Sequence, residues 1–232
     1  MKNLFIVKGI TEDKNISDDA FAVWCALRNV IQKDITKYFI SYNMIAYSLF
    51  DRIPNKYELN AIKKGYLELI ENNLIKVVDA YSKSEQVVDL TILYERKDNE
   101  YFSDLTDDEM HKIMNIQGKH DKYKLLRYFT CQIGSFNRSE NMKEYRGKIG
   151  GNGLDYFVKL ISISKPTIIS FNDLLKENKL LYVIRHKDFY QGFDINGGSE
   201  LREIPNTYSR WCDRELAMKY SEKVYGYKSF YF

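Results

Sequence analysis

Apolar positions recur at helical spacing through the first third of the chain. Phe21, Trp24, Cys25, Leu27 and Ile31 share one stripe behind the N-cap Ser17, which predicts a helix over residues 17–31. A short helix is expected over residues 41–50, a turn at Asp51 to Asn55, and a long helix from Lys56 to Asn73 that turns Leu59, Ile62, Tyr66, Leu69 and Ile70 inward. The β-rich runs 74–78 and 86–94 flank a polar stretch, 79–85, that reads as a hairpin tip. Three helices followed by a hairpin predict a winged helix-turn-helix.

The same order returns about 106 residues later, without a gap through the third helix and the strand after it. Ile62 falls on Ile168, Leu69 on Leu175, Glu71 on Glu177, Asn72 on Asn178, Leu74 on Leu180, Val77 on Val183 and Val78 on Ile184, and Cys25 falls on Cys131. Upstream, the helix over residues 122–136 agrees only in pattern, and the run Gly147 to Gly153 has no counterpart. Glu95 to Glu100 reads as a solvated connection, and Thr106-Asp-Asp-Glu109 as a capping box that opens a helix through Met110, Ile113 and Met114. A second hairpin with a glycine-rich loop, 191–199, is expected next. Pro205 to Ser209 then leads into a final helix ending near Val224, and the aromatic run Tyr225 to Phe232 should dock on a core or a partner. The expected fold is α+β, mainly α: two winged helix-turn-helix units forming a pseudo-symmetric internal dimer. Residues 1–97 make the first unit, 98–204 the second with its leading helix, and 205–232 a C-terminal helix and tail.

Composition narrows the function classes. With 44% apolar and 29% charged residues in 232, the chain is globular rather than disordered, and no apolar run approaches a membrane span. The N-terminus is too short and too quickly charged for a signal peptide, so a cytoplasmic location is expected. The net charge of +3 permits a polyanionic partner without demanding one. Residues 110–150 are locally basic, nine Lys or Arg against three acids, and such runs are most often solvated faces. Three distant cysteines fit neither a disulfide framework nor a zinc site, and buried reduced thiols are expected.

Catalytic signatures are missing. Gly147-Lys148 is followed by Ile149 rather than Ser or Thr, so no P-loop is present, and Gly150 to Gly153 reads as a flexible turn before a helix. His111, His120 and His186 lack the spacing that sets two imidazoles on one metal, and acid pairs such as Asp18-Asp19 and Asp107-Asp108 sit at helix starts, where they favour the dipole. No catalytic residue, cofactor or metal site is expected. What remains is the outward face of the two third helices: Lys56, Asn60, Lys63 and Lys64 in the first unit, and Lys165, Thr167 and Ser170 in the second. Wing tips would add Lys83 in the first unit and Arg185, His186 and Lys187 in the second, along phosphates.

The stretch Tyr156 to His186, with Ser164-Lys-Pro-Thr-Ile-Ile-Ser170 at its centre, resembles the helix-turn-helix and first wing strand of winged-helix proteins from low-GC Gram-positive bacteria and their mobile elements; Lys56 to Val78 resembles it more weakly. Proteins of this kind include plasmid replication initiators, primosome-like proteins, and accessory or regulatory proteins of conjugation such as the TraN type, where two helix-turn-helix units form an internal dimer. The resemblance implies a monomeric, non-enzymatic protein that binds double-stranded DNA, at a transfer origin or as a transcriptional regulator, with other transfer or replication proteins as further partners and no membrane association. A replication initiator and a winged-helix protein-interaction module stand as rivals, since the motif does not separate these roles.

Overall fold

The computed structural model describes residues 2–31, 35, 37–90, 102–136, 145, 147–186, 189–193 and 199–226. It is α+β and mainly helical. The chain divides into two compact units, Met1–Cys131 and Gln132–Phe232.

In the first unit β1 (Asn3–Val7) and a single-turn helix α1 (Lys8–Glu12) precede α2 (Asp18–Val30), β2 (Lys37–Ser41), α3 (Tyr42–Phe50), α4 (Lys56–Glu71), β3 (Lys76–Ala80) and β4 (Glu85–Asp89). Each long helix begins on a side-chain cap that satisfies an otherwise unpaired amide. Ser17 Oγ accepts from the Ala20 amide at 3.2 Å, Ser41 Oγ from Met44 at 3.2 Å, and Asn55 Oδ1 from Glu58 at 3.0 Å. The three strands form an antiparallel sheet in the order β2-β4-β3. The core is the stripe read from sequence, Phe21, Trp24, Cys25 and Leu27 on α2 with Ile62, Tyr66 and Leu69 on α4. Burying one such large side chain contributes about 2 kcal/mol. A Cβ on Gly65 would stand 2.6 Å from the backbone of Asp19, so only glycine lets α4 approach α2 this closely.

β5 (Phe102–Thr106) pairs antiparallel with β1, from Asn3 opposite Thr106 to Val7 opposite Phe102, with Leu4, Ile6, Ser103 and Leu105 buried. Its last residue caps α5 (Asp107–Asn115) through the expected capping box, and α6 (Lys122–Ser135) follows.

The second unit continues with β6 (Ile149–Asn152), α7 (Leu154–Ile161), α8 (Lys165–Glu177), β7 (Leu181–Ile184), β8 (Phe189–Phe193), β9 (Ser199–Glu203), β10 (Asn206–Arg210) and, after one 3-10 turn, α9 (Arg214–Tyr225). The sheet order is β6-β10-β7, while β8 and β9 pair with each other as a separate ribbon. From α2 onward and again from α6 onward the chain runs helix, strand, helix, helix, strand. In both sheets the strand before the helix pair and the first strand after it flank the returning strand.

The likeness extends to atoms at the gap-free match. The Asn72 amide donates to Glu68 O at 3.0 Å and its side chain to the same oxygen at 2.9 Å; Asn178 does the same to Leu174 O at 3.1 and 2.8 Å. The next residues, Asn73 and Lys179, both take left-handed backbone with φ of 57° and 54°, which frees Leu74 and Leu180 to donate back to Leu69 and Leu175, each at 2.9 Å. Asp51 and Ser162 likewise end α3 and α7 in left-handed conformation.

Several expectations are corrected. Gly150 to Gly153 is not a flexible turn: residues 149–152 form β6, paired with β10, and Phe136 covers Gly150 so closely that a Cβ there would meet its ring at 2.7 Å. The run that lacked a counterpart in sequence thus has one in order, β2. Pro205 to Ser209 is not simply a leader to the last helix, because residues 206–210 form β10, the central strand of its sheet. Cys25 and Cys131 are buried free thiols as expected, but Cys212 is exposed, since it lies on the 3-10 turn rather than in the core. Residues 95–100, the loop tip 194–198 and the tail from 227 onward lie outside the described residues. Among the described residues no helix is long and apolar enough to cross a membrane.

Candidate nucleic-acid interface

The N-terminus of α4 is anchored by a buried acid. Glu58, 4% exposed, accepts from the Asn55 amide at 2.8 Å, from both terminal nitrogens of Arg52 at 2.9 and 2.6 Å, and from Lys122 Nζ. Burial alone would raise its pKa, but the hydrogen bonds from Arg52, Lys122 and Asn55 prevail and hold it at about 2. Arg52 also donates through Nε to Asn115 Oδ1 at 2.7 Å, which ties the turn between α3 and α4 to α5.

With that end held, α4 turns Lys56, Asn60, Lys63 and Lys64 outward, all exposed as expected. Lys64 makes an ion pair with Asp19 at 3.6 Å, whereas Lys56 and Lys63 make none among the described residues. Lys83 is exposed between β3 and β4, where its carbonyl accepts from the Tyr42 hydroxyl at 2.8 Å and leaves the ammonium outward. Sequence reasoning missed Tyr57, 85% exposed beside Lys56 in the first turn of α4. The signal was its position, off the inward stripe. Leu67, also exposed, extends this face one turn further.

In the second unit Lys165, Ile169, Ser170 and Asp173 are exposed on α8. Thr167 is half-buried rather than outward, and its hydroxyl lies 2.8 Å from Ser164 Oγ, engaged in the cap. Lys165 is paired with Asp155 of α7 at 2.9 Å, and Arg185, just past β7, with Asp173 at 2.5 Å. Neither carboxylate was singled out from sequence, because most of α7 and a turn separate one pair and the end of α8 and the whole of β7 the other. His186 is not on a wing tip: it is buried, its Nε2 3.1 Å from Thr207 Oγ1 and its ring tilted at 52° against that of Tyr225, 4.7 Å between centroids. The pairing of β7 with β10 carries it inward. Lys187 lies outside the described residues.

Of the six described cations of the basic run 110–150, four are paired with acids within the fold. Lys112 pairs with Asp108 at 2.7 Å, Lys122 with Glu58, and Lys124 with Asp121 at 3.8 Å and Asp18 at 3.9 Å. Arg127 is buried, donating to Thr11 O at 2.8 Å, Ile16 O at 2.7 Å, Asp13 O and Asp18. It stitches the α1 to α2 connection down rather than facing a ligand. Lys119 and Lys148 are exposed, while Arg138, Lys143 and Arg146 lie outside the described residues.

Among the described residues no group of three or more His, Cys, Asp or Glu is placed to hold a metal ion. An apolar groove of about 720 Å³ lies at α3, lined in part by Met44, Tyr47, Ile53 and Pro54. No family model matches the chain, and no curated protein and no solved structure matches it.

Proposed function

We propose that this chain is a tandem winged-helix protein that binds double-stranded DNA, with α4 and α8 as its two reading helices and no catalytic activity. The observation that carries the reading is the repeated order of helices and strands with the same strand order in both sheets, each of which leaves one helix, α4 or α8, with an exposed polar face. A helix of this kind fits the major groove, and Lys56, Lys63 and Lys83 supply charge toward phosphates.

The two units make an internal dimer of diverged halves, and such a dimer reads two unlike half-sites about ten base pairs apart. The resemblance to proteins of Gram-positive mobile elements puts the setting on a plasmid or conjugative element, at an origin or an operator.

Binding of random and element-derived duplexes at low and moderate salt, followed by footprinting, tests the reading. A salt-dependent complex over one asymmetric site of about two helical turns supports it. Several protected direct repeats with local melting would favour a replication initiator instead. No duplex binding at low salt rejects DNA recognition and leaves the interaction-module reading, which the apolar groove beside the 87% exposed Ile53 favours.

A further inference from the structure

Given DNA binding by the second unit, the two ion pairs on its face carry a further consequence. Lys165 at the start of α8 and Arg185 just past β7 are two cations that this face offers to a polyanion, and both are already held by carboxylates, at 2.9 Å and 2.5 Å. Asp155 comes from α7 and Asp173 from α8 itself, two turns beyond Lys165 on the stripe that also carries Ile169. We infer that Asp155 and Asp173 restrain the second unit from sequence-independent binding: a phosphate reaches Lys165 or Arg185 only by displacing a carboxylate that occupies its place.

The physical chemistry is competition. A phosphate oxygen and a carboxylate oxygen seek the same donors, and an exposed pair holds its cation with a preference of up to about fivefold. The carboxylates themselves repel a polyanion passing over α8. A random duplex offers this unit little beyond phosphates, so it meets the whole penalty. A duplex with the correct bases adds contacts to Ser170, to the Ile169 side chain and to Asp173, which can accept from a cytosine amino group. Asp155 and Asp173 are therefore specificity-determining residues, and sequence-independent affinity resides in the first unit.

The test compares the full chain with Asp155→Asn plus Asp173→Asn, and with Glu71→Gln plus Glu177→Gln. The second variant removes the same charge from exposed helix ends and leaves both ion pairs intact. Binding to a random-sequence duplex is measured at several salt concentrations, and the salt at which each protein leaves a heparin column is recorded. The expected result is a gain of about three- to tenfold in random-duplex affinity for the first variant, a steeper salt dependence and later elution from heparin, with a smaller gain for the second. Equal gains for the two variants would reduce the effect to net charge and overturn the inference. Wild-type binding to duplex with neither variant changed would overturn it while leaving DNA recognition standing. No duplex binding by any of the three proteins rejects the parent reading and the inference with it, whatever the heparin column shows.

Discussion

α4 and α8 match position for position over their last turns, yet they diverge by face. Some inward and terminal positions keep their type: Ile62 and Ile168 are buried, Leu69 and Leu175 are buried, and Asn72 and Asn178 make the same cap, although the buried Gly65 and Tyr66 stand where α8 buries Phe171 and Asn172. Outward positions do not. Lys63 stands where the other helix has Ile169, Lys64 where it has Ser170, and Leu67 where it has Asp173. On the packing face a change of volume has to be matched by the neighbouring helix, as Gly65 is by the close approach of α2, whereas the solvent face is constrained only by what it meets. The difference teaches that the order of elements recurs while the chemistry of the exposed helix face does not.

The starts of the helices diverge too. α4 is pinned by the buried Glu58, whereas α8 begins on the neutral pair Ser164 and Thr167. Breaking the first anchor should have the largest effect. Glu58→Ala leaves Lys122 and Arg52 without their carboxylate, and a loss of about 4 kcal/mol is expected in equilibrium unfolding; a loss below about 1 kcal/mol would show that the pair anchors nothing. Acid should do the same gradually. The folded pKa of Glu58 lies near 2, below an unfolded value of about 4.3, so its stabilisation is full above roughly pH 5 and is lost as pH falls toward 2, about 3 kcal/mol in all. Asp18 and Asp19, raised by burial, bind protons more readily when folded and offset part of this. The amides of α4 should therefore lose hydrogen-exchange protection at a higher pH than those of α8, and simultaneous loss would contradict the contrast.

Gly65→Ala sharpens the comparison of packing. It forces α4 away from α2 at a point where α8 carries the buried Phe171, and should cost about 2 kcal/mol, read as a lowered denaturant midpoint. The smallest effects concern binding. Lys56→Ala with Lys63→Ala should weaken duplex binding about tenfold and reduce the salt slope by about two, whereas Lys165→Ala with Arg185→Ala should change affinity less than about threefold. Equal losses from the two pairs would mean that both faces meet phosphates alike.

The helices were legible because their signals are local. Ser17, Ser41, Asn55 and Thr106 each stand in front of an apolar stripe, and the cap and the period act within a few residues of one another. The missed strands have partners far along the chain. β6 contains two glycines and little β propensity, and it is a strand only because Asn206 to Ser209 lie beside it. β1 depends in the same way on Phe102 to Thr106. The exposed residues of the candidate faces could be read from period alone, which is why Lys56, Lys63 and Lys165 were found. Their charge state as a face could not: Asp173 and Arg185 meet only after β7 has been laid down, and no spacing rule joins them.

The β1 and β5 ladder also bears on how the chain is made. Leu4 and Ile6 leave the ribosome well before Phe102 to Thr106, the strand they pair with. Until then β1 has an open edge and two apolar side chains without cover, the state in which a strand recruits another chain. A fragment stopped at residue 97 would be fixed in that state: it keeps α2, α3, α4 and their sheet, yet should associate with copies of itself through β1. Any attempt to isolate α4 on its own scaffold therefore has to carry the chain through β5.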